Sequence, residues 1–261
     1  RTYSKKINTL DQDMFNKSLS YNIKDYEGIP NINNQVIEII PMVKSAFCRI
    51  KVPQELMNNL NIYLDRLYKD QNAESRSNNL VGAIKMLSGK KGKQLVMDMD
   101  DELVKPFSNF ILLCSKIYIS QMYRLNDLDN TPYQLILDEI WSVHQYETDF
   151  NPHHQHSNTI SNFGLSSFLH TKLPKQLLDR YTKNKKQYEG GGWYDGKTML
   201  NWGQLSFEDQ KQLKFPQSIY TTGETGILYL FPQWLVHGVY PFFGENEDLC
   251  LNPLMTLTGN P

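Results

Sequence analysis

The stretch 151-NPHHQHSN-158 places three histidines within four positions, and a second stretch, 231-FPQWLVHGV-239, adds another histidine far downstream. Neutral imidazole is a common metal ligand, and residues two apart on a strand point to the same side. We therefore predict that His154, His156 and His237 hold one metal ion. His153 is left outside the predicted ligand set.

The sequence around these stretches predicts two helices followed by short strands. Apolar residues spaced three to four apart indicate one helix from Pro53 to about Asp70 and a second from about Asp101 to Leu125. From Gln134 onward, segments rich in branched and aromatic residues alternate with prolines and glycines, which is typical of strands. We predict an α+β fold in which N-terminal helices support a β-barrel or jelly roll.

The same pattern gives a domain organisation. Residues 1–35 are polar and are predicted to form an N-terminal extension, and residues 36–261 a single domain. Within that domain, helical support is expected at about 53–125 and the barrel core at about 134–261. Residues 175–222, which are polar and contain three consecutive glycines, are predicted to be an insertion into the barrel.

Composition narrows the partners. The 261 residues include 27 basic and 28 acidic side chains, so the bulk charge does not favour nucleic acid or an anionic membrane as the main partner. Three widely spaced cysteines indicate a reducing, intracellular compartment, and we expect a cytoplasmic protein. No apolar run has the ~20 residues that a membrane-spanning helix needs. The substrate, whether small molecule or protein, and the oligomeric state are left open.

The two histidine stretches resemble the iron-binding core of the 2-oxoglutarate/Fe(II)-dependent oxygenase superfamily. The likeness runs from about Trp141 to the C-terminus and is nearest to a phage and bacterial branch with His-x-His and Phe-Pro-x-x-Leu-x-His motifs. It implies a double-stranded β-helix core of the jelly-roll, cupin-like type. It also implies Fe(II) and 2-oxoglutarate as cofactors and a dioxygenase, or hydroxylase, activity.

The sequence departs from the family pattern at two places. Most members have Asp or Glu where this chain has His156, so either the site has three histidines or a carboxylate such as Asp149 joins it. Members also carry an arginine near the C-terminus that binds the far carboxylate of 2-oxoglutarate. Leu254 stands at that place, and no arginine occurs after Arg180.

The missing arginine leaves three interpretations open. Lys172, on the strand after the first motif, could bind the cosubstrate carboxylate, with Thr256 on the last strand as a further contact. Alternatively, the chain is a three-histidine metal dioxygenase that does not use 2-oxoglutarate. The third interpretation is a catalytically silent jelly roll with a binding or structural role.

Other candidate residues have less specific signals. Trp193 and Trp202, in the predicted insertion, are candidate substrate contacts, although both could belong to the core of a hairpin. His144 and His170 are expected to be packed or hydrogen-bonded strand residues.

Overall fold

The computed structural model describes residues 19–22, 36–42, 45–76, 82, 84, 92–125, 133–156, 164–174, 177, 194–203, 217–221, 224–243 and 248–258. These residues are mostly β-sheet with few helices. The strands are β1 (Leu19–Asn22), β2 (Val36–Met42), β3 (Ser45–Lys51), β4 (Lys93–Val96), β5 (Gln134–Gln145), β6 (Asn151–His154), β7 (Gly164–Lys172), β8 (Thr198–Asn201), β9 (Ser218–Thr221), β10 (Ile227–Pro232), β11 (Val236–Val239) and β12 (Asp248–Thr258). In this part of the chain, no helix combines the length and apolar character needed to cross a membrane.

The two helices lie where periodicity predicts them. Helix α1 (Gln54–Lys69) follows Pro53 and buries one face through residues spaced three to four apart: Leu56, Met57, Leu60, Tyr63 and Leu64. Helix α2 (Lys105–Leu125) begins later than predicted. The carbonyl of Asp101 accepts hydrogen bonds from the backbone N–H groups of Val104 and Lys105, so a turn precedes the helix.

The strands form two antiparallel sheets. The large sheet has the order β1-β2-β3-β10-β7-β12-β5-β4, and the small sheet has the order β6-β11-β8-β9. From β5 onward the chain passes back and forth between them, with β8 and β9 as consecutive strands of the small sheet: β5, β7, β10 and β12 lie in the large sheet, and β6, β8, β9 and β11 in the small one.

Two apolar clusters cover the two faces of the large sheet. On one face, strand residues such as Leu165, Leu169 and Leu230 pack against both helices. On the other face, an inner cluster combines residues of both sheets: Phe47, Trp141, Val143, Phe168, Leu200, Tyr229, Phe231 and Leu235. Alternate residues of β7 therefore face different cores, because successive strand side chains point to opposite sides.

The predicted insertion contains two strands of the small sheet. Residues 198–201 and 218–221 are β8 and β9, which pair with each other, and β8 also pairs with β11. Each strand has only four residues and lies in a polar segment, which is why the strand pattern was not visible. Of the predicted extension 1–35, residues 19–22 form β1 and pair with β2, and the rest lies outside the described residues.

Candidate metal centre

His154, His156 and His237 meet in one cluster. Strands β6 and β11 are paired so that His154 lies opposite His237. His156 follows β6, and its backbone N–H donates to the carbonyl of Gln233 at 2.9 Å, which holds it beside the strand pair. One ligand nitrogen from each ring lies within 4.8 Å of the other two. The predicted ligand set is therefore a spatial cluster.

Backbone carbonyls orient two of the three rings. His154 Nδ1 lies 2.7 Å from the carbonyl oxygen of Pro152, and His237 Nδ1 lies 2.9 Å from that of Leu235. A carbonyl oxygen only accepts, so each Nδ1 carries the proton and each neutral ring has its lone pair on Nε2. Histidine ligands of metals commonly use one ring nitrogen in this way, with the other donating to a backbone carbonyl or carboxylate.

The spacing of the ring nitrogens suits a single cation. His156 Nε2 and His237 Nε2 are 3.2 Å apart. Imidazole nitrogens bind a divalent transition metal at about 2.0–2.1 Å, so two ligands separated by about 90–110° around the ion lie about 2.9–3.4 Å apart. The observed separation of the two nitrogens lies within this range.

Burial keeps the three imidazoles neutral. Desolvation lowers the pKa of His156 to about 4, with the His154 ring as a further cause. The pKa values of His154 and His237 are also lowered, chiefly by burial, and that of His237 falls well below its usual value. A metal competes with protons for these lone pairs, so lowered pKa values favour metal binding at neutral pH.

Aromatic side chains enclose the cluster. The Phe231 ring lies 4.9 Å from the His237 ring, and the Trp141 ring lies 5.8 Å from His156 in an edge-on arrangement. Both aromatics belong to the inner cluster between the sheets. The centre therefore has an apolar lining, which limits water around a bound ion.

His153 is directed away from the cluster. It is exposed and packs against the Tyr240 ring at 5.8 Å, lining a pocket of about 360 Å³ beside β6 and β11. This placement agrees with its omission from the predicted ligand set.

Gly238 permits the close approach of β6 to β11. A Cβ at Gly238 would lie 2.6 Å from His153 Cδ2, 2.9 Å from the Asn151 carbonyl oxygen and 3.1 Å from the His153 backbone nitrogen. A larger residue would push the strands of His154 and His237 apart.

Asp149 has a different role from the one considered for it. Its Oδ2 accepts a hydrogen bond from the Tyr146 backbone N–H at 2.9 Å, closing a turn. Within the described ranges, the metal-capable group consists of the three histidines alone. Asp149 is not part of this group.

The other two strand histidines are hydrogen-bonded in the core, as expected. His144 Nε2 lies 3.1 Å from Ser142 Oγ, and its ring packs against Tyr68. His170 Nε2 lies 3.2 Å from Thr198 Oγ1, which links the large sheet to the small one.

Lys172 contacts the helical layer. Its ammonium forms an ion pair with Asp65 on α1. A register shift where β12 pairs with the end of β7 interrupts the alternation of side chains after His170. Regular alternation would place the Lys172 side chain on the same inner face as His170. The bulge between the two residues changes this direction, so Lys172 reaches α1.

The remaining candidates are spread over different parts of the chain. Thr256 lies in β12, paired with Gly164 of β7 and Ile136 of β5. Trp202 packs against the inner cluster, and Trp193 lies outside the described residues. The structure thus brings Trp202, but not Lys172, toward the core that surrounds the histidines.

Sequence reasoning missed a set of buried polar atoms. Ser166 Oγ, Trp202 Nε1, Gln145 Nε2 and Gln233 Oε1 are inaccessible to solvent and have no hydrogen-bond partner among the described residues. Buried polar atoms are nearly always paired, so each of these atoms needs a water molecule, an ion or a polar ligand as a partner. Only the strand register shows which of them face the inner core.

Comparison with protein families gives one match. Residues 139–252 match the family described as "Putative 2OG-Fe(II) oxygenase". The matched range contains all three histidines of the cluster. The cofactors of the matched family are Fe(II) and 2-oxoglutarate, as expected. It ends before Leu254, the position considered for the missing arginine. No match is found among curated proteins.

Solved structures with a similar outline include several oxygenases. A prolyl-4-hydroxylase of Pseudomonas putida is 11% identical, with 81% of this chain and 92% of that chain covered and a TM-score of 0.47. A Trichoplax adhaerens prolyl hydroxylase, in complex with a peptide fragment of hypoxia inducible factor, is 11% identical over 80% and 82% of the chains, at a TM-score of 0.46. HygX of Streptomyces hygroscopicus, with nickel and 2-oxoglutarate bound, is 10% identical over 81% and 83%, at 0.45.

Proposed function

We propose that the protein is a non-haem Fe(II)- and 2-oxoglutarate-dependent dioxygenase that hydroxylates a substrate of unknown identity. The observation that carries the proposal is the geometry of His154, His156 and His237, whose ligand nitrogens lie within 4.8 Å of one another inside the family-matched range. Three ligands leave other positions of an iron ion open for cosubstrate and dioxygen.

The strand order supports this proposal. Eight strands, β5 to β12, divide four and four between two facing antiparallel sheets, and the chain crosses between the sheets as it advances. We interpret this arrangement as a double-stranded β-helix, with α1 and α2 packed on the outer face of its large sheet. The histidine motifs also support the assignment to the phage and bacterial branch.

The residues present fit an iron ion. Neutral imidazole suits Fe(II), and the Nδ1 hydrogen bonds of His154 and His237 leave the lone pair of each ring on Nε2. When bound, Fe(II) with 2-oxoglutarate and dioxygen supplies the oxidising power to hydroxylate a C–H bond, with loss of carbon dioxide from the cosubstrate. His154, His156 and His237 would hold the ion, while Phe231 and Trp141 would keep its surroundings apolar.

Two measurements test the proposal. Protein purified and loaded with Fe(II) without oxygen should contain one iron per chain, and succinate should form from 2-oxoglutarate when oxygen is admitted. A protein that takes up no iron would contradict every metal-dependent version of the function. Iron uptake without 2-oxoglutarate binding in calorimetry would reject the cosubstrate.

A second candidate is a three-histidine dioxygenase that does not use 2-oxoglutarate. It is favoured by the composition of β12, which has neither lysine nor arginine in Asp248–Thr258. This enzyme would consume oxygen with its own substrate and form no succinate. A silent binding protein would consume no oxygen with any substrate.

A further inference from the structure

We propose that the far carboxylate of 2-oxoglutarate is held by two neutral donors, Ser166 Oγ and Trp202 Nε1, in place of the family's arginine. The inference rests on the proposed function. It assigns these two residues a positioning and specificity role within the same site. A neutral anchor also matches the neutral ligand, His156, that stands in place of a carboxylate.

Ser166 lies on the wall beside the metal ligands. It is 1% exposed and pairs in register with Phe231, whose ring is 4.9 Å from that of His237. The neighbouring β7 residue Leu165 packs on the helical side, whereas Phe168 packs in the inner cluster. Ser166 shares the face of Phe168, so its unpartnered hydroxyl belongs to the inner side.

Trp202 supplies a second donor from the opposite sheet. It follows β8, in which Leu200 is the register partner of His237, and it packs against the inner cluster. Its indole Nε1 is buried without a partner among the described residues. Indole N–H is only a donor and Ser–OH can donate, so the two atoms together suit a ligand rich in acceptors, such as a carboxylate.

Charge balance explains why neutral donors suffice. In the family pattern, a carboxylate ligand and an arginine contribute opposite charges that cancel around the dication and the dianionic cosubstrate. Here His156 replaces the carboxylate and the arginine is absent. The net charge of the site is still zero, because the dication and the dianionic cosubstrate cancel each other. A neutral anchor therefore fits a three-histidine metal centre, whereas a cationic anchor would leave an uncompensated positive charge.

Two basic side chains of the large sheet, Arg49 and Lys172, form ion pairs with acidic side chains. Arg49 packs over the Tyr229 ring, and its Nη2 lies 3.3 Å from Glu224 Oε2. Lys172 pairs with Asp65 on α1. Recruiting the Lys172 ammonium would require breaking its ion pair with Asp65, whereas Ser166 Oγ and Trp202 Nε1 have no hydrogen bond to give up among the described residues.

The experiment compares two ligands on the wild-type protein and on four variants, the fourth being the Lys172→Met variant named below. Anaerobic calorimetry on Fe(II)-loaded protein measures the affinity of 2-oxoglutarate and of 2-oxobutyrate, which lacks the far carboxylate. The variants are Ser166→Ala and Trp202→Phe, which remove one donor each. Ser167→Ala is the matched control, because Ser167 pairs with Leu230 on the helical side of the same strand.

We expect each donor variant to weaken 2-oxoglutarate binding by about tenfold to a hundredfold, the usual effect of losing a hydrogen bond to a charged group. Binding of 2-oxobutyrate and the iron content should stay at wild-type values, as should every value for Ser167→Ala. Such a selective loss would support direct contact with the far carboxylate.

Three results would overturn the inference. Equal losses for both ligands would mean that the residues support the fold and do not contact the carboxylate. Unchanged 2-oxoglutarate affinity in both donor variants would place the anchor elsewhere, and a selective loss in Lys172→Met would place it at Lys172. If wild-type protein binds iron but neither 2-oxo acid, the proposed function itself fails.

Discussion

Replacing Gly238 by alanine should weaken metal binding through the spacing of two strands. The added Cβ would lie 2.9 Å from the Asn151 carbonyl oxygen and 3.1 Å from the His153 backbone nitrogen. These are backbone atoms of β6, so the strand must shift to reach an ordinary contact distance. The shift of about 0.3–0.5 Å is close to the displacement of about 0.5 Å that functional geometries tolerate. Because β6 is an edge strand, it can move, and it would carry His154 away from His237.

The expected magnitudes follow from that shift. Overpacking of this kind lowers the free energy of unfolding by about 1–3 kcal/mol. Metal affinity should fall by about tenfold to a hundredfold, the usual effect of disturbing the groups that orient a metal ligand. Urea denaturation measures the first quantity, and anaerobic Fe(II) titration measures the second.

Gly226→Ala provides the matched control. Gly226 has a φ of +79°, and a Cβ there would meet nothing nearer than Met57 at 3.8 Å. Alanine in this left-handed conformation costs about 1–2 kcal/mol of stability without moving β6. We expect wild-type metal affinity in this variant. Wild-type metal affinity in a destabilised Gly238→Ala protein would refute the claim that β6–β11 spacing sets the metal centre.

Three further predictions concern individual side chains. His237→Ala should abolish iron uptake measured by elemental analysis, whereas His153→Ala, on the outer side of β6, should keep one iron per chain. The metal-free protein should lose stability as pH falls from 6.5 toward 4. In that window the unfolded chain binds a proton at His156, while burial lowers the folded pKa to about 4, so the unfolded state binds more protons. A midpoint of thermal unfolding that stays constant over this range, or an equal decline in His156→Asn, would contradict this account. Lys172→Met should reduce stability by at most about 1 kcal/mol, because it removes only a partly exposed ion pair with Asp65. A larger loss in urea denaturation would show that this ion pair supports the fold more strongly.

The clustering of His154, His156 and His237 could be predicted from the sequence because each lies in a short, unusual motif. Three histidines in four positions and a fourth after Phe-Pro are visible without knowing the fold. Their meeting depends on the pairing of β6 with β11, a long-range contact that spacing alone does not define. The resemblance to a known family supplied that connection.

The direction of individual side chains could not be predicted in the same way. Lys172 lies near the end of a strand whose alternation is interrupted by a bulge, and a one-residue irregularity changes the face that a side chain reaches. Ser166 was not identified because a serine in an apolar strand has no sequence signal that distinguishes its inner from its outer face. The four-residue strands β8 and β9 were missed because their length is below that of a recognisable alternating pattern.

Pro152 protects the edge of the small sheet as well as orienting a ligand. Strand β6 is an outer strand of that sheet, where unpaired backbone groups would invite pairing with another chain. Proline has no N–H to offer, and its carbonyl oxygen is engaged by His154 Nδ1 at 2.7 Å. The residue that sets the tautomer of His154 thus has neither a backbone donor nor a free carbonyl for pairing with a further strand, which disfavours the association of another chain at this part of β6.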